Sequence, residues 1–276
     1  MNLFITKILS TVALCAFTLV ASAETYVADD GASIDYEVSG NGIPLVLLHS
    51  GMMSREDMRT QISYFSQYFK VIAIDAREQG RSSSSASDIS YERMASDVAG
   101  VLDDQGVAKA NVFGQSDGGI TALMISHLFP ERLQKIAIHG AVYHFEAYPL
   151  EQRNGWLTIS WDSEDENARS PEGFPGMAIP HYLLGQDNLD NFESHLKEMA
   201  EMWATSPDLS KEDLEQMETP ILVIVGDHYD ISIAHTLEMH EILNNSELFV
   251  VPGATHFVHE EKPDLLHRVV HDFLAN

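Results

Sequence analysis

A series of uninterrupted apolar runs constrains this chain more than any other feature of it. They are LVLLH (45–49), VIAID (71–75), NVFG (111–114), KIAIH (135–139), ILVIVG (221–226) and LFVV (248–251). A strand with one wet face alternates polar and apolar residues, whereas runs like these must be covered on both faces. They predict strands at 44–49, 70–75, 110–115, 134–139, 219–226 and 247–252. Earlier candidate strands lie at 25–29 and 33–38, with Asp30-Gly31 between them as a turn signal.

Helix-like segments separate the runs. Ser54-x-x-Asp57 has the pattern of a capping box, and further helices are expected at 90–105, 120–129, 234–243 and 263–274. In the last, Leu265, Leu266, Val269, Val270, Phe273 and Leu274 recur at helical spacing, so one face should dock on the sheet. Strands alternating with helices specify an α/β fold, a mostly parallel sheet with helices on both faces. The rhythm stops between 141 and 218. That segment has no comparable β-run, carries Trp156, Trp161 and Trp203, and includes an acidic stretch at 162–166. Pro171, Pro175 and Pro180 make its middle loop-like, a helix is expected at 188–204, and Ser210-x-x-Asp213 should cap a short helix. The expected organisation is a core from 24–140 and 219–276, with 141–218 inserted over one end of the sheet.

The first 23 residues look like a targeting segment. Lys7 is their only charge, residues 8–20 are almost wholly apolar, and Ala21-Ser22-Ala23 supplies the small residues of a cleavage site. The run is short for a membrane span, and no basic cluster follows it. Cleavage before Glu24 and a periplasmic or secreted location are expected. The single cysteine, Cys15, falls inside this segment, so 24–276 holds no thiol for a nucleophile, disulfide or metal. The formal charge of −26 repels phosphate backbones and anionic headgroups, which argues against nucleic acid or a membrane surface as partner.

Gly114-Gln115-Ser116-Asp117-Gly118-Gly119 follows a predicted strand and precedes a predicted helix. This is the context in which G-x-S-x-G presents a nucleophile on a tight turn, with the next backbone N–H free to face an oxyanion. A hydroxyl needs a base to take its proton. Among 13 histidines, His256 in Pro-Gly-Ala-Thr-His-Phe (252–257) lies just after the last strand, where a loop can return over Ser116. An orienting carboxylate is available after the strand ending at Gly226, from Asp227 or Asp230. The order Ser, Asp, His differs from both the chymotrypsin and subtilisin orders. His49-Ser50-Gly51 follows the third strand and supplies a second oxyanion donor, so the expected pair is the N–H groups of Gly51 and Asp117. His267 and His271 stand four apart, but HRVVH lacks the Glu of HExxH; they read as a solvated face, and no metal or cofactor is expected.

Together these residues resemble the α/β-hydrolase superfamily, and within it the small serine esterases with a helical cap, the valacyclovir hydrolase-like group. LLHSG (47–51), DAREQGRS (75–82), GQSDGG (114–119), PERL (130–133), GDHYD (226–230) and PGATHF (252–257) carry the resemblance. It implies an eight-stranded sheet, a cap from 141–218 and ester or amide hydrolysis without cofactor. Three positions depart from the family pattern. Ser50 replaces the glycine after His49. Glu78 replaces a glycine in the turn after the fourth strand, which should reshape that turn. Tyr229 occupies the usual position of the acid, moving the expectation to Asp230, since Asp227 abuts the strand and should be used by the turn itself.

The reading is therefore an exported hydrolase of small carboxylic esters or lactones, with Ser116 as nucleophile, His256 as base and Asp230 as acid. Dehalogenases and epoxide hydrolases of this fold use an aspartate nucleophile, which Ser116 argues against. Carbon–carbon bond hydrolases share the Ser-Asp-His set, and a binding protein that kept the fold without turnover is the alternative from another class.

Overall fold

In the computed structural model the residues described are 22–83, 89–158, 177–185, 189, 191–229 and 231–276. The targeting segment through Ala21, Trp161, the acidic stretch at 162–166, Pro171 and Pro175 lie outside them.

The strands are β1 (Ser22–Val27), β2 (Ser33–Ser39), β3 (Pro44–Leu48), β4 (Lys70–Ile74), β5 (Ala110–Gln115), β6 (Leu133–His139), β7 (Ile221–Gly226) and β8 (Ser246–Val251). They form one eight-stranded sheet in the order β1-β2-β4-β3-β5-β6-β7-β8. Only β2 runs against its neighbours; from β4 to β8 every pairing is parallel. The apolar runs occupy the middle of this sheet, as two-sided burial demands.

The helices are α1 (Arg59–Phe65), α2 (Tyr91–Asp104), α3 (Asp117–Leu128), α4 (Leu150–Trp156), α5 (Ile179–Tyr182), α6 (Phe192–Thr205), α7 (Lys211–Glu215), α8 (Ile233–Ile242), α9 (Val258–Glu261) and α10 (Pro263–Ala275). The period of two in the strands sorts their side chains to the two faces. Val46, Leu48, Ile72, Ile74, Val112, Ile136, Ile138 and Val223 pack with Val98 and Val101 of α2 and Ile120, Leu123 and Met124 of α3. Leu45, Leu47, Val71, Ala73, Phe113, Ala137, Leu222 and Ile224 pack on the other side, with Ile62 and Phe65 of α1 and Leu266, Val270 and Leu274 of α10.

Two local readings are corrected. Ser54 and Asp57 do not cap a helix. Helix α1 starts at Arg59 behind Met58 with no side-chain cap, while Ser54 Oγ bonds to His181 Nδ1 at 2.7 Å. A tertiary partner takes the hydroxyl that local pattern assigned to the helix end. His267 is not solvated either; it is buried and stacks on Tyr64, 4.6 Å between ring centres. Its imidazole face is apolar enough to join the seam where α10 docks on α1. By contrast, Ser210 and Asp213 do form a reciprocal capping box on α7.

Between β6 and β7 the described residues form α4 to α7 and a short 3₁₀ turn joined by loops, with an isolated bridge from His144 to Asp208. Phe192, Leu196, Met199, Ala200 and Trp203 of α6 pack into the same apolar cluster as α2 and α3. Trp203 Nε1–H also donates to Asp117 Oδ2 at 2.8 Å, which brings α6 to the turn that follows β5.

Candidate active site

Ser116 joins β5 directly to α3 with φ 51° and ψ −116°, a conformation that L-residues rarely adopt. Its N–H donates to His139 O at 2.8 Å, and its own carbonyl accepts from Ile120 N–H at 2.9 Å. The flanking glycines make the turn sterically feasible: a Cβ at Gly114 would lie 2.2 Å from Gly118 O, and one at Gly118 would lie 2.3 Å from Leu48 O. The turn is therefore held from both sides, with the serine side chain left partly exposed.

Ser116, Gly51, Asp117 and His256 all line one cavity of about 350 Å³. Its remaining walls are largely apolar, including Met53, Tyr148, Trp156, Met177, Trp203 and Phe257. His49 shapes the loop carrying Gly51: its Nδ1 bonds Ser50 O at 2.7 Å and its Nε2 accepts from Ala76 N–H at 2.9 Å. Ser50 lies on the cavity wall, and Met52 takes φ 60° in the same loop. Gly51 must be glycine, because a Cβ there would lie 2.2 Å from Asp117 Oδ2 and 2.9 Å from Trp203.

The His256 imidazole is stacked on Tyr229, 4.6 Å between ring centres, and the Tyr229 hydroxyl donates to Gly140 O at 3.3 Å. The position that holds the acid in the family pattern thus holds a ring face. His256 Nδ1 is buried and has no hydrogen bond among the described residues. Burial, with His259 nearby adding to it, pushes the His256 pKa down to about 4. Asp230 lies outside the described residues. Asp227 is committed to the turn: its Oδ1 accepts from Gly253 N–H at 2.6 Å and from Ala254 N–H at 3.3 Å.

Glu78 stands in the turn after β4 in the left-handed backbone region. It adopts φ 63°, a region that favours glycine, and its side chain turns toward His195 on α6, with Nδ1 at 3.6 Å from Oε2.

The structure adds side-chain roles that no motif marked. Asp117 is 4% exposed; its Oδ1 accepts from the Tyr91 hydroxyl at 3.0 Å and its Oδ2 from Trp203 Nε1–H at 2.8 Å. Burial pushes this carboxyl up to about 6, against the pull of the two donors. His139, at the end of β6, is buried 6.0 Å from the His256 ring and held well below the ordinary imidazole range, first by burial. These partners come from distant elements, so local sequence carried no signal for them.

The Asp117 shift has a stability consequence of definite sign. Its ordinary value is 3.8, so the folded state binds the extra proton between that pH and about 6. The charged form therefore costs nothing in acid, progressively more as pH rises through that window, and its full amount above it. Asparagine can accept from Trp203 and donate to the Tyr91 oxygen. Asp117→Asn is expected to stabilise the protein by on the order of 2 kcal/mol at pH 7.5 and by almost nothing at pH 4. Urea midpoints at the two pH values measure this, and an equal effect at both would refute it.

A family model described as alpha/beta hydrolase fold matches residues 43–263. The human serine hydrolase BPHL is 26% identical over 266 residues, spanning 93% of this chain and 87% of that protein. The 2-hydroxy-6-oxo-2,4-heptadienoate hydrolase of Pseudomonas putida is 24% identical over 255 residues, spanning 86% and 90%. The solved structure of Est816, described as an N-acyl homoserine lactone degrading enzyme, superposes with a TM-score of 0.72 at 25% identity, over 90% of this chain and 99% of that one. With a mostly parallel eight-stranded sheet, a serine on the strained strand-to-helix turn and a family match across most of its length, this chain belongs to the alpha/beta hydrolase fold family.

Proposed function

We propose that this hydrolase is an exported serine esterase acting on small carboxylic esters or lactones, with Ser116 as nucleophile, His256 as base and Asp230 as the orienting acid. The observation that carries the proposal is Ser116, held at φ 51° on the wall of the cavity that His256, Gly51 and Asp117 also line. The neutral imidazole takes the hydroxyl proton as Oγ attacks the carbonyl carbon. The N–H groups of Gly51 and Asp117 receive the oxyanion. Collapse expels the alkoxide, which takes the proton back from His256, and water then repeats the sequence on the acyl-enzyme. With a pKa near 4, His256 is already a proton acceptor at neutral pH.

Cavity size and lining support the substrate class. About 350 Å³ is at the small end of ligand pockets. Aromatic and methionine walls favour an uncharged acyl or alcohol portion. The relatives point the same way, one being a serine hydrolase and another a lactone-degrading enzyme. The Pseudomonas putida relative supports a second reading, carbon–carbon bond hydrolysis with the same residues.

A fluorophosphonate probe should label Ser116 stoichiometrically, and p-nitrophenyl esters or lactones should turn over. Absence of labelling in folded protein would favour a binding protein. Labelling without ester or lactone turnover, but with cleavage of a vinylogous diketone, would favour the carbon–carbon reading.

Export is proposed on Lys7, the apolar 8–20 run and Ala21-Ser22-Ala23. Among the described residues no helix is long and apolar enough to cross a membrane. The proposed cut falls inside β1, leaving Glu24 to Val27 paired with β2. Intact mass of the recovered protein reads the first residue directly.

A further inference from the structure

A second group of chemically competent side chains stands on the same cavity, and the proposed hydrolysis does not use it. Asp57, between β3 and α1, and His259, in α9, both line the cavity wall. Glu260 follows on the same short helix. His259 Nε2 lies 3.5 Å from Asp57 Oδ2 and 3.9 Å from Glu260 Oε1. The His259 side chain is 3% exposed, yet neither ring nitrogen makes a hydrogen bond among the described residues. Leaving an imidazole buried and unsatisfied is costly, so this arrangement calls for a partner.

The spacing indicates what the partner is. At 3.5 and 3.9 Å both contacts are longer than an ordinary N–H···O bond of about 2.7–3.2 Å. Two ligand atoms held at about 2.0–2.2 Å from one tetrahedral zinc ion stand roughly 3.3–3.6 Å apart, close to the separations seen here. One atom from each of the three residues lies within 4.8 Å of the others, so a small side-chain rotation brings all three onto one centre. One imidazole and two carboxylates suit a divalent first-row ion, and a three-ligand set leaves a coordination position open.

We propose that Asp57, His259 and Glu260 form a binding site for a divalent transition-metal ion of the zinc type, with its open position facing the cavity beside Ser116. The ion would place a positive centre in a cavity whose wall also carries the Asp117 carboxyl and the His256 imidazole. A water molecule or a substrate oxygen would complete its coordination. His259 Nδ1 has no acceptor to fix the ring, so affinity should be about 10–100-fold weaker than at sites where the imidazole is supported. The site uses residues separate from the proposed Ser-His-Asp set, so it stands or falls independently of that reading.

The test is titration of zinc and cobalt(II) into the chelator-treated full chain. The wild type should bind one ion more tightly than the rest, and cobalt should show the intense visible bands of a four-coordinate centre. Asp57→Asn removes one ligand at nearly constant shape and should weaken that site at least tenfold; His259→Gln should abolish the visible bands. Circular dichroism confirms that each variant is folded, and Asp57→Asn serves if His259→Gln is not. Ser116→Ala should bind as the wild type does. His195→Gln removes the imidazole of the other candidate cluster, Glu78-His195-Glu198, and should also leave the tight site intact. Absence of a distinct tight site in the wild type, its survival in the Asp57 and His259 variants, or its loss with His195→Gln would overturn the assignment.

Discussion

Replacing Ser116 by alanine is expected to lower kcat on an activated ester by a factor on the order of 10³–10⁶ while leaving the fold unchanged. The substitution removes only Oγ. The backbone at φ 51° is equally strained for serine and alanine, and the hydrogen bonds to His139 O and from Ile120 N–H are made by the main chain. Stability should therefore move little while turnover collapses. His256→Ala should cause a loss of similar size. The double variant should be hardly worse than either single one, because nucleophile and base act as one unit. Purified variants compared on one p-nitrophenyl ester decide the matter: unchanged turnover in Ser116→Ala removes the proposed mechanism, and multiplicative losses would mean the two residues act separately.

The second large effect concerns the acid. Asp230→Asn is expected to reduce kcat by about 10²–10⁴ with KM little altered, because a carboxylate on Nδ1 stabilises the imidazolium that exists only as the reaction proceeds. Asp227→Asn should instead lower stability by about 1 kcal/mol and spare kcat, since its Oδ1 accepts from Gly253 and Ala254 N–H and holds the turn before His256. Tyr229 makes the comparison informative, because its ring lies on the imidazole where the family pattern places a carboxylate. An inactive Asp227→Asn beside an active Asp230→Asn would reassign the triad to Ser116-Asp227-His256.

The fold was legible wherever the information was local. Continuous Val- and Ile-rich runs mark strands covered on both faces, and 110–115 coincides with β5 because burial and strand period act within a few residues. The capping box of α7 and the start of α2 next to Ser90 follow for the same reason. G-x-S-x-G was readable because its glycines answer a contact between immediate neighbours, Gly114 against Gly118.

Where two candidate uses competed for one side chain, the sequence chose the nearer and the tertiary structure chose otherwise. Ser54 was read as a cap and instead bonds His181 across the structure; His267 was read as solvated and instead fills the seam between α1 and α10. Glu78 holds a left-handed backbone and faces its carboxylate toward His195 on α6, a partner that no local pattern indicates.

The sequence by itself therefore determined the layered sheet, the strained serine turn and the chain order of the proposed triad, because each depends on spacing along the chain. Only the tertiary structure decided what surrounds them: the buried Asp117 between Tyr91 and Trp203, the Tyr229 ring on His256, and the facing of Asp57 and His259. Burial and long-range proximity set the charge states and unmet hydrogen bonds of those groups, and neither is a property of any local stretch of residues.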